Sequence, residues 1–172
     1  MKHAYQILMR LFAIFGIVVF CVILLYVIAV TWGIPIHNYR LWVLQKNFRS
    51  TVQPLHPAQS QLRAEMAEFG NFGNSNHCDY MVGEFRSSSL SKEAVMRAYA
   101  GAIVPSFSSH DKNSPLPVEV YFTDEDIFHN DYTWSEWLSK YLSRKPATSD
   151  KNTYLVFTSS DMHPPDGDIR CH

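Results

Sequence analysis

Charged side chains are absent from one long stretch near the start of the chain. Between Leu11 and Trp32 there are 22 residues and no Asp, Glu, Lys, Arg or His. As an α-helix this stretch is about 33 Å long, enough to cross a bilayer core of about 30 Å. A buried helix of a soluble protein is rarely apolar on every face over such a length. The composition therefore predicts a transmembrane helix over residues 11–33.

A signal-peptidase cleavage site is also lacking. The apolar run exceeds the roughly 7–15 residues of a signal-peptide core, and no small-x-small pattern follows it. We therefore interpret it as an uncleaved signal anchor, preceded by a short cytoplasmic tail, residues 1–10, with Lys2 and Arg10. Basic residues also follow the run, so charge alone leaves the orientation open. The basic residues of a long domain do not prevent it from crossing the membrane, since such domains cross largely regardless of charge. We therefore favour an N-terminus in the cytoplasm.

Aromatic residues follow directly after the apolar run. Trp32, Tyr39 and Trp42 lie within eleven residues of each other. Amphipathic rings concentrate at the boundary between lipid and water. The sequence therefore predicts that Trp32 and Tyr39 lie at the outer membrane interface, with Trp42 close by.

Cysteine is scarce, with three residues in the chain. Cys21 lies inside the apolar run, whereas Cys78 and Cys171 lie beyond it and are 93 residues apart. In an oxidising compartment these two would pair, and closing such a loop stabilises a fold by about 4–5 kcal/mol in the chain-entropy model. We predict a Cys78–Cys171 disulfide and a domain outside the cytoplasm. Free thiols and metal ligands remain the alternatives.

Recognisable metal and nucleophile motifs are missing. The chain has no C-x-x-C, no H-E-x-x-H and no G-x-S-x-G, and its Gly- and Asn-rich loop leads into a strand rather than a phosphate-binding helix. No cofactor and no metal is predicted. The residues that could serve a metal-dependent or hydrolytic reaction if the fold brought them together are His77, Asp161, His163 and His172.

An excess of positive charge is absent as well. The chain has 15 basic and 16 acidic residues, and two of the basic residues precede the apolar run. No basic face is evident, so nucleic acid is not a predicted partner. Asn-x-Ser/Thr acceptor sites are also absent, which fits a bacterial envelope protein.

The rest of the chain divides into two parts. Residues 34–57 are interpreted as a helical juxtamembrane spacer, because their apolar positions do not form one clean stripe. Residues 58–172 are predicted to be a soluble α/β domain outside the cytoplasm. Its first element is predicted to be a helix over 58–69, where Leu62, Met66 and Phe69 have helical spacing.

The domain is predicted to alternate helices and strands. Strands are expected over 78–88, 118–123 and 153–160, and helices over 90–104 and from Thr133 onward, where Thr133 and Glu136 form a capping box. This order predicts a small α/β (α+β) sandwich, with helices packed on a short sheet of at least three strands. Strand directions stay open, since the alternating order also permits parallel pairs.

Two pairs of residues are candidates for binding. Glu84 and Arg86 lie on one face of their strand and must be paired if that face is buried, which would make them a candidate binding pocket. Tyr132 and Trp134 would form a partner-binding anchor if exposed, although core packing is the alternative.

The combination of anchor, spacer and compact domain favours a binding role over catalysis. The prediction is a single-pass protein of the cell inner membrane, with its C-terminal domain on the periplasmic or extracellular side. Its partners would be the lipid bilayer and another envelope protein, in an assembly, accessory or inhibitory role. The alternative is a membrane-anchored hydrolase or metal-dependent enzyme that uses the His and Asp clusters.

Overall fold

The computed structural model describes residues 2–71, 76–107, 115–124 and 152–171. Helix α1, Lys2–Thr31, contains the apolar run, and the large apolar side chains described between residues 11 and 28 are exposed. By length and composition it is long and apolar enough to cross a membrane. A helix with apolar side chains exposed on every side is suited to an apolar environment rather than to water.

Helix α2, Gly33–Val52, follows after one residue and packs on the sheet. It ends in a 3-10 turn, Gln53–Leu55. Its buried positions recur at helical spacing and form one stripe: Gly33, His37, Leu44, Phe48 and Val52. The segment interpreted as a spacer is thus helical, but its stripe is complete and lies in the core. The stripe is not evident from the pattern of apolar residues, because a glycine and a histidine occupy its first two positions.

Four strands form the main sheet: β1 Ser60–Gly70, β2 Cys78–Ser88, β5 Glu119–Phe122 and β6 Asn152–His163. Their order in the sheet is β1-β2-β6-β5, and all neighbours are antiparallel. The central strand β2 is buried along its whole length. At Gly83 the backbone of β6 is so close that an added Cβ would lie 2.7 Å from the carbonyl oxygen of Val156.

The structure confirms the predicted strands over 78–88, 118–123 and 153–160 but contradicts the predicted helix over 58–69. That segment is strand β1, paired with β2 from Ser60 to Gly70. Met66 faces one side of the sheet while Phe69 faces the other. The helical spacing of Leu62, Met66 and Phe69 was misleading, because pairing along the length of β2 outweighs local preference.

Helix α3, Lys92–Tyr99, is shorter than predicted. The Ser91 side chain caps it by accepting a hydrogen bond from the Ala94 amide at 3.3 Å. The helix ends before Gly101, whose φ of +72° is readily adopted by glycine. Strand β3, Ile103–Val104, then pairs with β4, Leu116–Pro117. The last residues of the predicted helix therefore form a strand.

Hydrophobic clusters lie on both faces of the sheet. The face that α2 and α3 cover holds the larger cluster, with Tyr80 and Val82 of β2 at its centre. Met81 and Phe85, which alternate with them, belong to a second cluster on the opposite face. The architecture is α+β, an antiparallel sheet with helices packed on it. The helix predicted from Thr133 lies outside the described residues.

Candidate functional site

A buried histidine lies where the first turn of α2 meets the sheet. The His37 ring is buried, its Nε2 lies 3.0 Å from the Pro165 carbonyl oxygen, and its Nδ1 is hydrogen-bonded to the Tyr80 hydroxyl. Because a carbonyl only accepts, Nε2 carries the proton and Nδ1 accepts from Tyr80. Burial lowers the pKa of His37, and the Arg40 charge lowers it further. His37 is therefore a neutral side chain with both nitrogens satisfied.

The predicted disulfide lies against this histidine. Cys78 and Cys171 are bonded, both are buried, and their Cα atoms are 4.9 Å apart. Cys78 Sγ lies 3.5 Å from His37 Nε2. Among the described residues these three are the group whose metal-ligand atoms converge, within 4.8 Å of one another. A cysteine binds a metal as its thiolate, and these two sulfurs are bonded to each other, so this group does not supply three metal ligands.

The segment after β6 wraps around the start of α2. We call residues 164–171 the C-terminal clasp. It ends in a 3-10 turn, Ile169–Cys171, and Arg40 Nη1 donates to Asp166 Oδ2 at 2.9 Å. Gly33 makes this contact possible, since an added Cβ would lie 2.6 Å from the Asp166 oxygen and from the Asp168 nitrogen. No other residue type fits this position without moving the clasp.

Arg170 holds the clasp to the helix from the other side. Its Nη1 donates to Asn38 Oδ1 at 3.1 Å, and its Nη2 lies 3.4 Å from the Ile34 carbonyl oxygen. Its guanidinium also binds the buried Asp168 carboxylate, at 2.9 Å from Nε and 2.6 Å from Nη2. These hydrogen bonds hold the pKa of Asp168 below its usual range. The clasp is thus fixed by an ion pair, hydrogen bonds and a disulfide.

A second polar centre lies at the other end of α2, around Glu84 and Arg86. Arg86 Nη1 donates to Glu84 Oε2 at 2.5 Å, and His56 Nε2 lies 3.2 Å from the same oxygen. His56 Nδ1 is 2.9 Å from the Tyr99 hydroxyl, which is 3.2 Å from that of Tyr154. Burial raises the pKa of Glu84, but hydrogen bonds from His56 and Arg86 outweigh it and lower the pKa overall.

Glu84 and Arg86 therefore lie on a buried face and are paired. A shallow cleft beside Glu84, lined also by Phe48, Arg49 and Glu65, has no interior room for a water molecule. In the described residues every buried side-chain polar atom has a hydrogen-bond partner, so neither centre presents an unsatisfied group to a ligand. A binding role for Glu84 and Arg86 stays a prediction.

The candidate enzyme residues lie near the clasp but have local partners. His77 Nε2 is 3.0 Å from Asp79 Oδ1, and His163 Nε2 is 2.7 Å from Ser160 Oγ. Asp161 is half-buried in β6, and His172 lies outside the described residues. Within the described ranges, His77, Asp161 and His163 do not form a converging set of ligands. No described geometry supports the enzyme alternative.

Exposed aromatic rings lie just before α2 and on its outer side. Trp32, Tyr39 and Trp42 have exposed fractions of 62%, 64% and 55%. The Tyr39 and Trp42 rings are 5.9 Å apart, and Lys46 Nζ lies 5.6 Å from the Trp42 ring centroid. We call Trp32, Tyr39 and Trp42 the aromatic face. The other predicted anchor, Tyr132 and Trp134, lies outside the described residues.

The sequence analysis did not identify His37, which is buried, or His56, which is half-buried. His37 bonds Tyr80 and Pro165, which are 43 and 128 residues away, and the His56 ring bonds Tyr99, which is 43 residues away. The available signal was periodicity, because His37 lies seven residues before Leu44 on the buried stripe of α2. Comparisons with known proteins add no further guide, since no protein-family model, curated protein or solved structure matches this chain significantly.

Proposed function

We propose that this chain is a single-pass protein of the inner membrane whose disulfide-closed domain lies in the periplasm and binds another envelope protein. In this proposal α1 spans the bilayer, and the aromatic face of α2 is the docking surface. Assembly, accessory and inhibitory roles all fit this description.

The exposed apolar surface of α1 supports the proposal that this helix anchors the chain in the membrane. The large apolar side chains described between residues 11 and 28 are exposed, and none packs on the sheet. Burying apolar surface gains about 25 cal/mol per Å², so a helix of this composition is strongly driven out of water. A bilayer satisfies it without a protein partner, because helix backbone groups are bonded within the segment.

The disulfide supports the proposed location of the domain in the periplasm. Structural disulfides persist in oxidising compartments such as the periplasm and are rare in the cytosol. Cys78 and Cys171 are both buried beneath α2 and the clasp, whereas Cys21 lies exposed on α1. A membrane helix followed by such a domain fits a protein whose C-terminal part has been exported.

The aromatic face is the observation that carries the binding role. One side of α2 is in the core, while Tyr39 and Trp42 on the other side are exposed. Trp and Tyr are enriched at interface hot spots because they bury large area at small entropic cost. Since the rings follow directly after the membrane helix, the partner is expected to contact them close to the bilayer.

Site-specific photocross-linking in membranes of the native cell tests this proposal. Benzoylphenylalanine replaces Trp42 in one variant and Met96 of α3 in the control, and both side chains have an exposed fraction of 55%. We expect one protein adduct of defined mass from position 42 and none from position 96. Equal labelling from both positions, or no protein adduct from position 42, would contradict the proposed docking surface.

A further inference from the structure

Ile169 is unusually exposed for a residue in such a rigid segment. Its exposed fraction is 76%, while its neighbours Asp168 and Cys171 are buried. The turn that carries it is held by the disulfide and by the Arg170 hydrogen bonds. An apolar side chain fixed in an exposed position loses little entropy on contact, so it is preorganised for an apolar surface.

The contacts of the clasp place this turn close to the end of the apolar helix. Arg170 binds the Ile34 carbonyl and the Asn38 side chain, which are two and six residues after Trp32. At 1.5 Å per residue these positions lie about 3–9 Å beyond Trp32 along the helix axis. The headgroup layer of a bilayer is about 5–8 Å thick on each side, so the clasp lies at its depth when α1 spans the membrane.

The charged side chains of the clasp are balanced by ion pairs, one within the clasp and one with α2. Arg40 is paired with Asp166 at 2.9 Å, and Arg170 is paired with Asp168 at 2.6 Å. A surface of neutralised pairs has little attraction for anionic lipid, so contact must depend on apolar insertion. Ile169 is the large exposed apolar side chain of the clasp and offers such an insertion.

We propose that the C-terminal clasp is a second membrane contact, in which Ile169 inserts into the lipid interface and fixes the domain upright on the bilayer. The inference rests on the proposed anchoring by α1. The partner is the interfacial layer of the phospholipid bilayer, independent of headgroup charge. The clasp therefore holds the sheet in a fixed orientation relative to α1, and Gly33 is a residue of α2 that it contacts.

Lipid photocross-linking on the full chain in vesicles of phosphatidylethanolamine and phosphatidylglycerol tests the contact. Benzoylphenylalanine is placed at Phe20 in α1, at Ile169 in the clasp, and at Met96 as the exposed control. Positions 20 and 169 are expected to form lipid adducts, and position 96 none. Lipid labelling at 20 without labelling at 169 overturns the clasp contact and leaves the anchor intact, whereas no labelling at 20 means that the anchoring itself has failed.

A measurement without substitution guards against misfolded variants. A phospholipid with a diazirine near its glycerol backbone should label the peptide that contains Ile169 in the unaltered chain, at a level at least tenfold above the peptide that contains Met96. Equal labelling of the two peptides overturns the inference. So does a protein adduct at position 169 in place of a lipid adduct, because the surface would then be a protein contact.

Discussion

At the scale of single residues, two histidines hold the ends of α2 to one face of the sheet in different ways. His37 is a neutral ring between a carbonyl and a tyrosine hydroxyl, in contact with the disulfide. His56 instead lies against the carboxylate of Glu84, which Arg86 also binds. Buried polar groups of this kind stabilise a fold only while every partner is present. Their removal should therefore have large and specific effects.

His37 makes the stability of the domain sensitive to mild acid. Its folded pKa is below the ordinary 6.5, so the unfolded chain takes up this proton first as the pH falls. The contribution of His37 to the free energy of unfolding is fully present above pH 6.5. It is lost as the pH falls below 6.5, at up to about 1.4 kcal/mol per pH unit. Urea unfolding of the full chain in detergent between pH 7.5 and 5 should show this loss. In His37→Gln the slope above pH 5 should become flatter, and an unchanged slope would contradict the assignment.

Neutralising Glu84 should lower the free energy of unfolding far more than neutralising an exposed carboxylate that also pairs with an arginine. Glu84→Gln leaves Arg86 as a buried charge without its counter-ion, which costs about 3–5 kcal/mol. The matched control is Glu65→Gln, since Glu65 pairs with Arg49 on the surface and such pairs contribute about 0–1 kcal/mol. Chemical denaturation of both variants at pH 7 provides the comparison. Equal losses would mean that the Glu84 pair is not buried as described.

At the scale of elements, the contact between α2 and the clasp leaves no room for an added side-chain atom at Gly33. Gly33→Ala puts a methyl group 2.6 Å from backbone atoms of Asp166 and Asp168, which cannot move as easily as a side chain. We expect a loss of about 1–3 kcal/mol by overpacking, with faster amide exchange in residues 164–171. Gly16→Ala in α1 is the control, because nothing lies within 4 Å of its added Cβ. Thermal unfolding and hydrogen exchange measure both effects.

Elements with a strong local pattern could be predicted from the sequence, and others could not. Strand β5 is predicted from its alternating pattern, and Val120 and Phe122 pack in one cluster while Tyr121 packs in the opposite one. Strand β1 resembles a helix locally and becomes a strand because it pairs with β2. The buried centres around His37 and Glu84 depend on partners far apart in sequence. Pairwise contacts of that range leave no local signal in a single sequence.

At the scale of the whole molecule, the disulfide ties the end of the described chain to the central strand. Replacing both cysteines, Cys78→Ala with Cys171→Ala, removes a cross-link over a separation of 93 residues and should cost about 4–5 kcal/mol in the chain-entropy model. We expect the amides of residues 164–171 to lose protection while the pairing of β2 with β6 persists. Hydrogen exchange by mass spectrometry would detect this, and uniform loss across the sheet would show that the disulfide supports the entire fold.

The molecule combines an apolar helix, a core that α2 shares with the sheet, and a clasp at the junction of the two helices. Because α2 belongs to the core, no flexible spacer separates α1 from the sheet. An anchored domain of this kind would be held at a fixed height above the bilayer. In the proposed arrangement, the disulfide-closed domain lies outside the cytoplasm and α1 anchors it to the membrane.

Differential thiol alkylation with mass spectrometry, on carbonate-washed membranes of the native cell, tests this arrangement. We expect Cys78 and Cys171 to be recovered as one cross-linked peptide from the membrane fraction. Recovery of both as free thiols, or of the chain in the soluble fraction, would contradict it.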